Sequence, residues 1–158
     1  MKSKSHDSSG STVRQSLGQL GELYIANEID CPECRSSKPH LLLPRNTPCV
    51  DVMCSNCGVR SQVKTISASN NNIFPRVVLG GSWIPKAKLL ELNIFSPYFF
   101  VFVKNGSVDK VYYLASEKQM QDIFQFRKPL SDKAKSPGWT GYQINLRSIK
   151  HLLLEVET

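Results

Sequence analysis

No apolar run among the 158 residues approaches the roughly 18 needed to cross a bilayer. The opening Met-Lys-Ser-Lys-Ser-His-Asp-Ser-Ser-Gly-Ser-Thr has no apolar stretch behind it. Neither a signal peptide nor a membrane anchor is expected, and the protein reads as cytoplasmic. No segment repeats another, which argues against a solenoid or an array. Acidic residues are in short supply: 13 Asp and Glu face 20 Lys and Arg, giving a net charge of +7 and a pI near 9.3. Such a balance points toward a polyanionic partner, although a solvated basic surface would produce it equally well. Little of the excess lies in the Ser-rich residues 1–13, which read as a disordered tail. It concentrates late in the chain, where Arg127, Lys128, Lys133, Lys135, Arg147 and Lys150 face a single acid, Asp132.

Cysteine is present in a pattern. Cys31-Pro-Glu-Cys34 and Cys54-Ser-Asn-Cys57 are separated by 19 residues, within the interval of a four-cysteine zinc ribbon. Two residues between thiolates let one turn present both sulfurs to a tetrahedral ion. Thiols in a reducing compartment stay reduced, so a metal is favoured over disulfides. With all four positions filled by protein, the zinc is expected to be structural. Cys49 lies outside the pattern and reads as a small core residue.

Ser16–Ile29 reads as a helix in which Glu22 has Ile25, Ala26 and Ile29 on its own stripe, and Pro32 stops it. A short apolar run spans Leu41–Leu43. Strand character covers Cys49–Met53 and Val59–Ile66, forming a hairpin-like unit whose tip is the second cysteine pair. Gly80-Gly81 reads as a turn and Ile84–Leu92 as a helix with proline in its first turn. Tyr98–Val103 is the strongest strand, with Asn105-Gly106 turning it into Val108–Leu114. Glu117–Phe124 reads as a short helix, residues 126–142 as a long loop, and a last strand or two follow. The fold expected is one α/β domain over residues 14–158, a mixed sheet flanked by helices, with 31–57 as a zinc-binding insertion.

In Gln62-Val63-Lys64 the first and third side chains share a strand face, and the hairpin brings Asp51 near them. An oxygen pair beside a lysine suits phosphodiester hydrolysis. Asp51 would hold Mg²⁺, helped by the Gln62 side-chain oxygen and the Val63 carbonyl. Lys64 would orient the attacking water and offset charge on the phosphate, and Glu22 would complete the site. The zinc, joining the end of the Glu22 helix to the hairpin tip, would fix Glu22 relative to Asp51 and Lys64. The spacing alone is weak, because an exposed helix glutamate and a strand lysine occur in many proteins.

These segments together resemble the PD-(D/E)XK nuclease superfamily and, within it, the DpnI family of restriction endonucleases. The resemblance is collinear from about residue 16 to 150. It takes in the spacing of Glu22 from Cys31, the Cys-Pro-x-Cys pair, Asp51 just ahead of Cys54, and Gln62 to Lys64. It continues through Arg127-Lys128-Pro129-Leu130, Gly138-Trp139-Thr140-Gly141 and Ile144-Asn145-Leu146. It implies a restriction-endonuclease-like fold, Mg²⁺-dependent cleavage of double-stranded DNA, a structural zinc, and a restriction role that in DpnI is directed at adenine-methylated DNA. Double-strand cutting by one small active site would favour a homodimer. Trp139 reads either as a DNA-facing aromatic or as a core anchor for its loop, and Trp83 reads as core. Arg127 and Lys128, with Lys133 and Lys135, read as phosphate contacts.

Two departures stand out. Gln62 occupies the place of the family's second acid, and a neutral amide holds Mg²⁺ less well. No segment of these 158 residues is expected to match the winged-helix domain of DpnI, so its methylation specificity is not expected to carry over. The competing readings are a zinc-containing DNA-binding protein with a disabled site, and a purely structural zinc module.

Overall fold

The computed structural model describes residues 13–37, 39–68, 73–156 and 158. The chain forms a helix α1 (Val13–Glu28), three strands β1 (His40–Leu42), β2 (Val52–Cys54) and β3 (Arg60–Ser67), then β4 (Val78–Ser82) and helix α2 (Trp83–Glu91). The strands β5 (Tyr98–Lys104), β6 (Ser107–Leu114), β7 (Phe124–Phe126), β8 (Gly141–Ile144) and β9 (Leu154–Val156) follow. They make a mixed six-stranded sheet in the order β1-β2-β3-β5-β6-β9 and a separate three-stranded sheet β4-β8-β7. The β3–β5 pairing is parallel; the others are antiparallel.

The centre of the large sheet is buried on both faces, and β5 shows why its sequence runs apolar without alternation. Phe99, Val101 and Val103 pack with Ile25 and Ile29 of α1, Val52, Val63 and Val111. Tyr98, Phe100 and Phe102 point the other way, into a cluster with Leu90 of α2, Phe124 of β7, and Tyr142 and Ile144 of β8. One strand therefore serves two cores. The same alternation runs through β3: Val63 joins the α1 side and Ile66 packs on the other.

Several expectations need correction. The expected tail lies outside the described residues except for Val13, which is helical. Cys49, Val50 and Asp51 precede β2 rather than forming part of it, because Cys49 has a left-handed φ of 61° that no strand accommodates. Gly80 and Gly81 lie inside β4 instead of making a turn. The short helix expected over Glu117–Phe124 is two 3-10 turns, Ser116–Lys118 and Gln121–Ile123, followed by β7. Here the buried Phe124 is drawn into strand pairing with Ile144, a tertiary pull stronger than local helical tendency. Among the described residues no helix is long and apolar enough to cross a membrane.

Candidate functional site

The four cysteines of the two pairs converge. Cys31 follows α1, Cys54 ends β2, and their ligating atoms together with those of Cys34 and Cys57 all lie within 4.8 Å of one another. Cys31 Sγ is 3.7 Å from Cys57 Sγ, and Cys34 Sγ is 3.7 Å from Cys54 Sγ. An ion bonded tetrahedrally to four sulfurs at about 2.3 Å requires sulfur separations of about 3.8 Å, so the set fits a metal such as zinc. The Asn56 N–H donates to Cys54 Sγ at 3.4 Å and its side-chain amide to Cys34 Sγ at 3.5 Å, the donors expected around thiolates.

At the other end of this hairpin Asp51 is stitched between two neighbours: its N–H donates to the Ser61 carbonyl and its own carbonyl accepts from Leu43. Its Oδ2 accepts from the Val63 N–H at 2.8 Å, which pins the carboxylate to the strand carrying Gln62 and Lys64. Glu22 reaches the same place from α1. Its neighbour Gly21 allows the approach, since a Cβ there would run into Thr65 of β3. Burial raises the pKa of both carboxyls, and for Glu22 the charge of Asp51 adds to the rise while Lys64 and Arg45 oppose it. Burial lowers Lys64, against the pull of Asp51 and Glu22. The two acids share one cleft, and the strand pinned to Asp51 carries Gln62 next to Val63. Glu22 and Asp51 line a cleft of about 390 Å³ with Leu42, Pro44 and Arg45.

The second sheet closes on β3 from the opposite side. The Lys64 ammonium donates to the Gly80 carbonyl, and the Tyr142 hydroxyl donates to Gln62 Oε1 at 3.3 Å. Gly80 thus has two tasks: its carbonyl holds the lysine, and its missing Cβ leaves room for the Tyr142 ring. Gly80→Ala is expected to destabilise the protein by about 1–3 kcal/mol through overpacking and to shift Tyr142 off Gln62. Urea unfolding checks this, and an unchanged midpoint would mean the ring moves aside freely.

Gln62 and Tyr142 line a second cleft of about 300 Å³ with Arg45, Cys49 and Ser82. Cys49 is therefore half-buried at a cleft wall rather than in the core. Trp83 is half-buried and stacks edge-on to Phe126 while leaning toward Tyr142. The basic segment 127–140 is an arm extending from β7 and β8, closed by Arg127 N–H to Gly141 and by Leu130 paired with Gly138 and Trp139. Arg127, Lys128, Lys133 and Lys135 are exposed along it. Trp139 is 41% exposed, packs over Gly141, and donates from Nε1 to Ser82 Oγ at 3.2 Å. That places it at the rim of the Gln62 cleft.

Sequence reasoning missed Arg45, which lines both clefts, and also Gly80, Tyr142 and Lys86. Lys86 is 1% exposed with its ammonium 3.8 Å from the Phe124 ring centre and 5.3 Å from that of Tyr98. A signal existed: in α2 Lys86 falls on the stripe of Leu90. Burial lowers its pKa to about 8, with Lys64 adding to the shift and Cys49 opposing it. A base whose folded pKa lies below its unfolded value costs stability at pH below about 8, and the cost fades as pH rises toward the unfolded value. Lys86→Met should therefore raise the thermal midpoint at pH 7, by an amount that shrinks above pH 8. A lower midpoint at pH 7 would show that the cation–π contacts outweigh desolvation.

A family model, that of the DpnI, Dam-replacing family, matches residues 4–152, nearly the whole chain. The chain belongs to this family.

Proposed function

We propose that this member of the DpnI, Dam-replacing family is a Mg²⁺-dependent endonuclease of double-stranded DNA with the PD-(D/E)XK fold and a restriction role. Residues 14–158 form its nuclease domain and 31–57 its zinc-binding insertion. The observation that carries the reading is the bond from the Val63 N–H to Asp51, which couples an acid outside the strand to the Gln62–Lys64 segment within it. Asp51, the Gln62 oxygen and the Val63 carbonyl would hold Mg²⁺, with Glu22 alongside. When bound, Mg²⁺ supplies Lewis-acid polarisation of the phosphoryl oxygens. Lys64, held by Gly80, orients the attacking water and offsets charge on the phosphate. The exposed arm seats the duplex: Arg127, Lys128, Lys133 and Lys135 meet phosphates without reading sequence, and Trp139 at the cleft rim stacks on or wedges beside a base. The zinc of Cys31, Cys34, Cys54 and Cys57 is structural and ties α1 to the hairpin. Cutting both strands with one such site per chain calls for two copies acting together, and the protein works in the cytoplasm.

The test is a plasmid prepared with and without adenine methylation, incubated with Mg²⁺ or with EDTA. Discrete Mg²⁺-dependent fragments are expected, and the preferred plasmid decides the methylation question. Tight, salt-sensitive binding with no cutting of either form would replace this reading with that of a DNA binder disabled at Gln62.

A further inference from the structure

An amide differs from a carboxylate in having one end that accepts and one that donates. For Gln62 the fold carries a device that chooses between them. The Tyr98 and Tyr142 hydroxyls lie 3.0 Å apart, and Tyr142 continues the row to Gln62 Oε1. Tyr98 is fully buried and Tyr142 is 2% exposed. Burial disfavours the phenolate at both positions, so both hydroxyls keep their protons. The direction of the row is decided at its inner end. Among the described residues the hydrogen bond formed by the Tyr98 hydroxyl is the one to Tyr142, and the groups packed on its ring, Phe100, Phe124 and the Lys86 ammonium, offer no lone pair. The Tyr98 hydroxyl therefore donates to Tyr142, and the Tyr142 proton goes to Gln62. Turning the amide over would leave one of the two buried hydroxyl protons without an acceptor, which is costly.

We propose that Tyr142, backed by Tyr98, is a positioning residue that locks the Gln62 amide with its oxygen as the presented end. This lets a neutral side chain act as a cation ligand where the family pattern has an acid. The inference rests on the Mg²⁺ site proposed above. Its residues come from β3, β5 and β8, so the second sheet sets the chemistry of the first. The oxygen has two lone pairs, and the Tyr142 hydroxyl takes one of them. In a carboxylate either oxygen could serve, and no lock would be needed.

That difference supplies the test. Mn²⁺ affinity is measured by electron paramagnetic resonance on the zinc-loaded full chain and on Y142F, Q62E and Q62E/Y142F, with zinc content checked in each. Y142F should bind Mn²⁺ about 3–10-fold more weakly than the parent, the range of one lost hydrogen bond. Q62E/Y142F should bind within about two-fold of Q62E, because the coupling vanishes when either end of the side chain is an oxygen. Y98F/Y142F removes both hydroxyls and leaves no buried donor unpaired, so it reads the same loss if Y142F alone fails to fold. Unchanged Mn²⁺ affinity in Y142F overturns the lock alone. Equal losses from Y142F in the parent and in the Q62E background also overturn it, assigning the effect to packing. A parent that binds no Mn²⁺ dependent on Asp51 overturns the Mg²⁺ site itself, and the lock with it.

Discussion

Asp51→Asn is expected to reduce Mg²⁺-dependent DNA cleavage by about 10³-fold or more, the scale of removing one directly acting charged group from a preorganised site, while leaving the fold intact. The substitution is nearly isosteric. An asparagine keeps a side-chain oxygen for the Val63 N–H, now 2.8 Å from Asp51 Oδ2. What is lost is the charge, in a place where burial makes charge expensive: the carboxyls of Asp51 and Glu22 are both raised by desolvation, and Asp51 raises Glu22 further. Removing a half-buried carboxylate that desolvation opposes and that itself opposes Glu22 should leave the thermal midpoint unchanged or raise it in the absence of Mg²⁺. Activity falling while stability holds is the mark of a residue kept for function rather than for folding. The measurement pairs single-turnover cleavage with a melt. Cleavage within ten-fold of the parent would remove Asp51 from the catalytic site, and a lost cooperative melt would make it structural instead.

Cys54→Ser is expected to empty the metal site and to remove most of the protein's stability. The Cys54 side chain is 1% exposed at the end of β2, and its sulfur lies 3.7 Å from that of Cys34. Three remaining thiolates and a hydroxyl make a poor zinc site. Zinc binding in small modules is worth on the order of 10 kcal/mol, comparable to the whole net stability of a domain, about 5–15 kcal/mol. The consequence reaches beyond the knuckle. Cys31 follows the α1 helix that brings Glu22 to the cleft, and Cys54 closes the strand that follows Asp51, so losing the metal frees the two acids from each other. Purified C54S should hold less than one equivalent of zinc by atomic absorption and melt without a sharp transition. A zinc-free C54S that melts within a few degrees of the parent would show that the two apolar clusters suffice and that folding does not need the metal.

Particular residues show how far the chain could be read in one dimension. Tyr98–Val103 announces a buried strand because an unbroken apolar run of that length can only be buried on both faces. The Cys-x-x-Cys pairs announce their convergence because short spacing imposes the geometry. Asp51, Gln62 and Lys64 are legible as a set because the hairpin carrying them is local. Beyond local range the reading fails in identifiable ways. Gly80-Gly81 looks like a turn, yet it lies in β4 because the Tyr142 ring, far along the chain, needs the space above Gly80. Lys86 shares a helix stripe with Leu90, but what buries its ammonium, the rings of Tyr98, Phe124 and Tyr142, comes from three distant segments.

The sequence by itself determined which chemical groups recur close together: oxygen donors and a lysine at hairpin spacing, thiolates at metal spacing, and a basic segment around a tryptophan. Within each cysteine pair and within Gln62–Lys64 the partners lie two or three residues apart, where chain geometry leaves few choices. Only the tertiary structure decided how those groups are held. The Gly80 carbonyl on Lys64, the Tyr142 hydroxyl on Gln62 and the Ser82 hydroxyl on Trp139 join the second sheet to the first or the arm to the second sheet. Each bond spans from 16 to 80 positions along the chain. Contacts at that separation are fixed by which apolar faces pack together, and no local pattern of residues encodes them.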